Sequence, residues 1–507
     1  MDPRLTSELT PELKDIVAEI ESHCANLGLD FFPVIFEMVN YQQMSEIAAY
    51  GGFPTRYPHW RFGMEYEQLS KSYEYGLSLI YEMVINNDPC YAYLLKSNNL
   101  VDQKTVIAHV YGHCDFFKNN YCFAHTNRKM LDEMANHGSR IRRYIEEVGH
   151  DEVENFIDVC LSLENLIDQH APHIRREPKN KDYDIELISP DKRPVPKIQV
   201  NRSYMDSYMN PADYLKEQQQ KMVKEFEKEK RFPENPQLDV LKFLLDHGPL
   251  NTWQRDVLSI VREEAYYYAP QGQTKIMNEG WAVYWHSKLM TQYMMKDSEV
   301  VDYCDHYAGV LATNGMRLNP YKLGLELMYH IEKRWNRGQH GLDYMLEDDP
   351  AKRAQWNKNT NKGLEKLFEV RKFHNDITFI DEFLDEDFVE EAKLYTWIQD
   401  RRTGQAVMQD RDFMQVKREI LDGLTNFGQP LIDVVDGNYH NRGELLLRHR
   451  HQGKDLKLNW AQETLMNLHK IWQRPVNLLT LVEGEQKVLV YDGGEARIEK
   501  ASFVDEA

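Results

Sequence analysis

Apolar residues at helical spacing dominate the first third of the chain. Pro11 and Glu12 indicate a helix start, because proline fits the first helical position and an acid favours the first turn. The apolar residues that follow keep helical spacing until Gly28, where a helix would end. The same spacing predicts further helices over residues 65–85, 102–118, 127–147 and 151–169. We therefore interpret residues 1–174 as the helical N-terminal part of a main domain.

The middle of the chain breaks this pattern. Residues 175–236 are highly charged, poor in apolar residues and interrupted by prolines. We interpret them as a solvent-exposed insertion, with a partner-binding arm as the alternative. Helical spacing returns from Leu238, and we predict a helical second part of the main domain over residues 237–425.

Near the C-terminus the apolar period changes. Turn signals such as Asp436-Gly437 separate short runs that are typical of strands, and a helical pattern runs from Trp460 to Trp472. The predicted strands cover residues 431–435, 444–448, 477–482 and 487–491. Residues 426–507 are thus predicted to form a small α+β module, and the fold class is mainly α.

Charge limits the classes of partner. The 507 residues include 61 Lys and Arg against 81 Asp and Glu, for a net charge of −20. A chain this acidic has no general attraction for nucleic acid or anionic lipid.

Six scattered cysteines without a CxxC pair suit a reducing compartment. No secretory signal or apolar run of about 18–20 residues is seen, so we expect a cytoplasmic protein without membrane insertion.

Two histidines form the first candidate for chemistry. His109 and His113 are four residues apart, so on a helix they share one face and can converge on one cation. Their neighbours Val106 and Val110 are apolar, which predicts an interior position where an imidazole needs a partner. Gly112 is unfavourable in a helix and indicates a close approach there. The alternative is a pair of hydrogen-bonded core histidines.

A carboxylate on a second helix could complete the site. Glu279 lies early in an apolar helix and must be paired, protonated or metal-bound, and His286 follows on the same face. Together with His109 and His113, these residues predict a divalent metal site, with zinc as the expected ion. Three ligands and one open position are typical of a catalytic metal. Alternatively, Glu279 is a first-turn acid that interacts favourably with the helix dipole.

Acid–base chemistry has its own candidates. Glu263 and Glu264 precede Tyr266 and Tyr267, and an inward carboxylate beside tyrosine hydroxyls would suit a general base or acid. A plain surface pair of glutamates is the alternative. A structural zinc site built from Cys114, Cys122 and His125 is a further alternative, but their spacing matches no standard zinc motif.

Four phrases carry a family resemblance. They are IAHVYGHCDFFKNN at residues 107–120, VREEAYY at 261–267, TKIMNEGWA at 274–282 and NPYKLG at 319–324. Through them the chain resembles the SpoVR (stage V sporulation protein R-like) family. This resemblance implies a cytoplasmic bacterial protein linked to sporulation or stress physiology. It also implies a PrkA-type serine kinase and a YeaH-type protein as partners, while the reaction stays undefined.

A more distant resemblance concerns the chemistry. The Glu-Gly-Trp-Ala phrase that begins at Glu279 is similar to the phrase that supplies the third zinc ligand in some gluzincin-like metallopeptidases. It implies His109 and His113 as the first two ligands. The gluzincin motif is HExxH, however, and Val110 occupies the position of its catalytic glutamate.

The leading hypothesis combines these observations. We expect a zincin-like helical main domain that hydrolyses an amide bond in a peptide or a cell-wall precursor. Glu263 or Glu264 would transfer the proton of the metal-bound water, and Tyr266 or Tyr267 would stabilise an oxyanion. The second hypothesis is a non-catalytic regulatory or scaffold protein that acts with a PrkA-type kinase. A third is a redox enzyme with a mixed His/carboxylate site, in which iron would replace zinc.

Overall fold

The structure is a computed structural model that describes residues 8–74, 82–174, 210–211, 213–221, 232–312, 318–399, 406–410 and 412–500. The chain divides into two compact units. The first contains residues 1–154 and 266–429, and the second contains 155–265 and 430–507. The boundaries predicted at 174/175, 236/237 and 425/426 are not tested by this division and stay predictions. Most of the predicted insertion at 175–236 lies outside the described residues.

Helices make up most of the described chain, which confirms the prediction of a mainly helical body. In chain order they are α1 (Pro11–Asn26), α2 (Tyr41–Ala49), α3 (Trp60–Glu74), α4 (Leu100–Asn119), α5 (Met130–Val148), α6 (His150–Leu161), α7 (Val240–His247), α8 (Thr252–Gln273), α9 (Lys275–Leu289), α10 (Val300–Val310), α11 (Pro320–Arg337), α12 (Leu342–Met345), α13 (Pro350–Ala354), α14 (Gly363–Phe373), α15 (Asp376–Phe383), α16 (Glu386–Glu391), α17 (Phe413–Leu424) and α18 (Leu458–Trp472). Residues 213–221 are also helical.

Within the described residues, the strands form three sheets. They are β1 (Val34–Val39), β2 (Glu82–Ile85), β3 (Cys90–Leu95), β4 (Thr396–Gln399), β5 (Ala406–Asp410), β6 (Ile432–Tyr439), β7 (Glu444–His449), β8 (Val476–Val482), β9 (Glu485–Tyr491) and β10 (Arg497–Lys500). The strand orders are β1-β3-β2, β4-β5 and β10-β9-β8-β7-β6.

The first unit contains a sheet where we predicted only helices. Strand β3 pairs in parallel with β1, beginning at Val34 opposite Cys90, and antiparallel with β2. The predicted helix over 65–85 is therefore wrong at its end, where β2 lies. The physical reason is that a short, mostly apolar run such as EMVI in β2 looks alike in a strand and in a helix.

The second unit confirms the predicted C-terminal strands. Strands β6 and β7 form one antiparallel hairpin, and β8 and β9 form another. Strands β7 and β8 are parallel, and α18 lies in the crossover connection that carries the chain back to the end of the sheet where β7 begins. The edge strand β10, at Arg497–Lys500, was not predicted.

Helix α4 is the centre of the first unit's core and packs against α9. Asn99 caps its first turn by accepting from the backbone nitrogen of Asp102, and the helix is buried from Gln103 to Phe117. Helix α9, in turn, packs against α11.

Among the described residues, no helix combines the length and hydropathy that a membrane crossing requires.

The helices α4, α9 and α11 approach each other through glycines. A Cβ on Gly112 of α4 would lie 2.7 Å from the Cα of Ala282 on α9. A Cβ on Gly280 of α9 would lie 2.5 Å from the carbonyl carbon of Gly324 on α11. Since a real Cβ cannot come so close to backbone atoms, the glycines allow these helices to pack at backbone distance. This confirms the close approach that Gly112 indicated.

Candidate metal centre

Three predicted ligands converge between α4 and α9. Nε2 of His109 lies 3.7 Å and Nε2 of His113 lies 3.5 Å from the same carboxylate oxygen, Oε2 of Glu279. The three ligand atoms all lie within 4.8 Å of one another. Two ligands of a tetrahedral zinc, each about 2.0–2.1 Å from the ion, lie about 3.3–3.4 Å apart. The separations from Oε2 are thus close to those of a tetrahedral site.

The same separations are too long for hydrogen bonds. Among the described residues, Oε2 of Glu279 is buried and accepts no hydrogen bond. A buried carboxylate oxygen without a donor is costly, and a cation would satisfy it. The His109 and His113 side chains are each 8% exposed and that of Glu279 is 17% exposed, so the group is not sealed from solvent.

The outward-facing ring nitrogens of both histidines are also engaged. Nδ1 of His113 lies 2.9 Å from Oδ1 of Asn278, and Nδ1 of His109 lies 3.0 Å from Nδ1 of His286. Because an amide oxygen only accepts, His113 donates from Nδ1 and presents the lone pair of Nε2 towards Glu279. Metal-binding histidines commonly have such a partner on the second nitrogen.

Burial and charge set compatible protonation states. Burial and, to a smaller extent, the neighbouring His109 lower the pKa of His113 to about 4, so the ring is neutral at pH 7. Burial opposes ionisation of Glu279, but His109, His113 and Lys275 hold the pKa of its carboxyl below the usual value. A neutral imidazole beside an ionised carboxylate matches the protonation states that metal ligands require.

Tyr321 at the start of α11 completes the surroundings of Glu279. Its ring stacks on that of His109, with centroids 6.3 Å apart and an interplanar angle of 24°. Burial raises the pKa of Tyr321, and the charge of Glu279 and a hydrogen-bonding interaction with it raise this pKa further. The side chain of Asn319 accepts from the backbone nitrogens of Tyr321 and Lys322 and so caps α11.

Two buried carboxylates fix the helices that carry the ligands. Asp376 accepts from the backbone nitrogens of Ile276 and Met277, at 2.8 and 2.9 Å, and thereby caps α9 just before Glu279. Asp115 accepts from Nε1 of Trp281 at 2.8 Å and pairs with Arg371 at 3.0 Å. Helices α4, α9 and α14 are therefore joined at the level of the ligands.

The remaining predicted site residues are divided between the two units. Glu263 is exposed and Glu264 is buried, and both fall in the second unit. In the first unit, Tyr267 is buried and donates to the carbonyl oxygen of Asn86 at 3.2 Å, while Tyr266 is half-buried. Their predicted roles in proton transfer and oxyanion binding stay predictions.

Val110 and His286 are the two other positions that the sequence singled out on α4 and α9. Val110, at the position of the HExxH glutamate, is completely buried in the core. His286 was predicted as a further ligand, but the group of three ligand atoms does not include it. Its Nδ1 faces the outer nitrogen of His109 instead.

Sequence reasoning assigned no role to two polar residues at this site. Asn278 directly precedes Glu279, and Tyr321 lies in the NPYKLG phrase. Both positions belong to phrases that carry the family resemblance, and this membership is the sequence feature that could have identified them. Among the described residues, the groups of side chains whose geometry could hold a metal ion do not include the alternative zinc site of Cys114, Cys122 and His125.

Comparisons with known proteins show the family of the chain. The family model described as SpoVR like protein matches residues 7–429, and that of the SpoVR-like C-terminal domain matches residues 430–483. The chain is 28% identical over 500 residues to "Uncharacterized protein YcgB" of Escherichia coli (strain K12), covering 91% of each protein. No solved structure matches the chain. With the family models covering nearly its whole length, this chain belongs to the SpoVR-like family.

Proposed function

We propose that His109, His113 and Glu279 bind a divalent metal ion, and that the ion is zinc. The observation that carries the proposal is the position of Oε2 of Glu279. This oxygen is buried without a hydrogen-bond donor, at 3.7 and 3.5 Å from the two Nε2 atoms. Two imidazoles and one carboxylate are a ligand set that zinc accepts.

Three protein ligands leave a fourth position for water. A zinc ion in such a site lowers the pKa of its water to about 7 and so supplies a nucleophile at neutral pH. The partial exposure of Glu279 supports access from solvent, which a closed structural site would not need. The proposed centre therefore has the composition of a catalytic site.

The reaction that we propose is hydrolysis of an amide bond in a peptide or cell-wall-type substrate. The support is the ligand geometry together with the similarity of the Glu279 phrase to gluzincin-like enzymes. Since Val110 offers no base, Glu263 or Glu264 is the candidate for proton transfer, and Tyr266 or Tyr267 for oxyanion stabilisation. A zincin-like arrangement of the main domain, a cytoplasmic location and a link to sporulation or stress physiology complete this proposal.

Metal content of the natively purified protein tests the site. Plasma mass spectrometry should find about one zinc per chain, and the variants His109→Ala and Glu279→Gln should lose it. Glu332→Gln is the matched control, because Glu332 is 23% exposed and accepts from the Tyr284 hydroxyl in the same unit. Absence of metal from the native protein, even after reconstitution, would overturn the proposal. Bound iron would favour the redox hypothesis.

A second candidate function follows from the buried Val110. Without a carboxylate at this position, the site would suit a regulatory or scaffold protein in which the metal stabilises the fold. Partners of this protein would be a PrkA-type serine kinase and a YeaH-type protein. Cells carrying Glu279→Gln would then keep the normal phenotype provided the variant folds, and the protein would retain the kinase in a pull-down. Loss of the phenotype with retained folding would favour catalysis.

A further inference from the structure

Helix α9 contributes more to the site than the ligand Glu279. It carries Glu279 and also the two side chains that contact the outer nitrogens of the histidines on α4, Asn278 and His286. His286 is almost completely buried at 2% exposure. Its Nδ1 lies 3.0 Å from Nδ1 of His109, which is hydrogen-bonding distance.

Two ring nitrogens that face each other at this distance need opposite roles. One must donate and the other must accept, because two lone pairs or two protons would repel. If Nε2 of His109 uses its lone pair towards the metal, its Nδ1 must carry the proton in the neutral ring. Nδ1 of His286 is then the acceptor, and the proton of His286 lies on its Nε2.

This assignment leaves His286 without a lone pair for the metal. Its Nδ1 is used by His109, and its Nε2 carries a proton. The ring is held by neighbours from α10, since Tyr303 and Tyr307 meet it edge to face with centroids 6.4 and 6.2 Å away. Rigid packing of this kind fixes the direction from which Nδ1 accepts.

We infer that His286 is a positioning residue for the metal site: it accepts the Nδ1 proton of His109 and thereby orients Nε2 of His109 towards the ion. The inference rests on the proposed metal site and replaces the predicted role of His286 as a ligand. Asn278 accepts the Nδ1 proton of His113 in the same way. Both proposed ligands on α4 are thus oriented by side chains of α9, which supports the inference. Outer partners of metal-binding histidines typically contribute about 10–100-fold to metal affinity.

Two substitutions separate positioning from ligation. His286→Leu removes the acceptor, whereas His286→Asn places an amide oxygen at the same number of bonds from the backbone as Nδ1. We expect zinc affinity, measured by competition with a chromophoric chelator, to fall about 10–100-fold in the Leu variant. The Asn variant should recover most of it. The visible spectrum of the cobalt-loaded Asn variant should match that of the native protein, because the ligands are unchanged.

His449→Leu is the matched control. His449 is also buried, and its Nδ1 lies 2.9 Å from Oγ1 of Thr480, so the Leu variant loses a comparable hydrogen bond. His449 belongs to the second unit, whereas the proposed ligands belong to the first. The zinc affinity of the His449→Leu variant should equal that of the native protein. Circular dichroism should confirm that all variants fold.

The outcomes distinguish the two proposals. If the native protein binds zinc, His109→Ala abolishes binding and His286→Leu leaves it unchanged, only the positioning role is overturned. If Leu and Asn variants lose zinc equally and both change the cobalt spectrum, His286 is a ligand and the inference is also overturned. Absence of zinc binding to the native protein overturns both proposals.

Discussion

Gly112 and Ala282 meet at the closest approach of α4 and α9, where a Cβ on Gly112 would lie 2.7 Å from the Cα of Ala282. Gly112 directly precedes His113, and Ala282 lies three residues after Glu279. The contact therefore sets the separation between two proposed ligands on different helices. A side chain as small as methyl would push the helices apart and lengthen the distance between Nε2 of His113 and Oε2 of Glu279.

The Gly112 contact gives the first prediction. Gly112→Ala should destabilise the protein by about 1–3 kcal/mol, because overpacking outweighs the better helix propensity of alanine. It should also reduce zinc content. Gly63→Ala in α3 is the control, since a Cβ there meets nothing within 4 Å and should be neutral or slightly stabilising. Urea unfolding and metal analysis would check both, and equal stability of the two variants would contradict the prediction.

The second prediction concerns the absent catalytic glutamate. Val110→Glu restores an HExxH motif but places a carboxyl group at a completely buried position in the core. Because a buried carboxylate needs a partner, we expect the free energy of unfolding of the variant, measured with urea, to fall by several kcal/mol. We expect no gain of peptidase activity. Val301→Glu, at a position 70% exposed, should be tolerated. A stable and active Val110→Glu variant would contradict this expectation.

The third prediction tests the tyrosine beside Glu279. Tyr321→Phe keeps the ring that stacks on His109 but removes the hydroxyl that interacts with the carboxylate. We expect zinc affinity to fall by about tenfold, as for other outer partners of metal ligands, with little change in stability. Tyr329→Phe is the control on the same helix, because the Tyr329 hydroxyl bonds to Ser287 instead. Equal zinc affinities for the two variants would rule out a role for Tyr321.

The fourth prediction is a pH dependence that arises from Asp376. Burial raises the pKa of this carboxyl to about 7, despite the amides of Ile276 and Met277 that lower it. The folded protein thus binds more protons than the unfolded chain between about pH 4 and pH 7, so the stability from this group is present below pH 4 and lost as pH rises through about 7. The slope is at most about 1.4 kcal/mol per pH unit.

Asp376→Asn removes this titration. The free energy of unfolding of the native protein minus that of the variant should therefore decrease as the pH rises from 5 to 7. Urea unfolding of metal-free samples at several pH values would measure it. Parallel pH profiles for the two proteins would show that Asp376 does not titrate in this range.

Local patterns predicted much of the fold. The C-terminal strands were recognisable because short apolar runs alternate with turn signals such as Asp436-Gly437. The sheet of β1, β2 and β3 was missed, since its strands are only four to six residues long and short apolar runs such as CYAYLL in β3 look alike in a strand and in a helix. Pairing between Val34 and Cys90 joins positions far apart in the chain, and no local pattern reports such pairing.

Spacing along the chain was enough to predict that His109 and His113 share a helix face, because a separation of four residues and a helical period do not depend on distant contacts. It also indicated that Glu279 would need a partner in its apolar surroundings. Which atoms meet depends on the tertiary packing. Packing of α4 against α9 through Gly112 brought both Nε2 atoms to one carboxylate oxygen and turned His286 towards the outer side of His109. Such contacts depend on how side chains from distant parts of the chain fill one space, which spacing along the sequence does not specify.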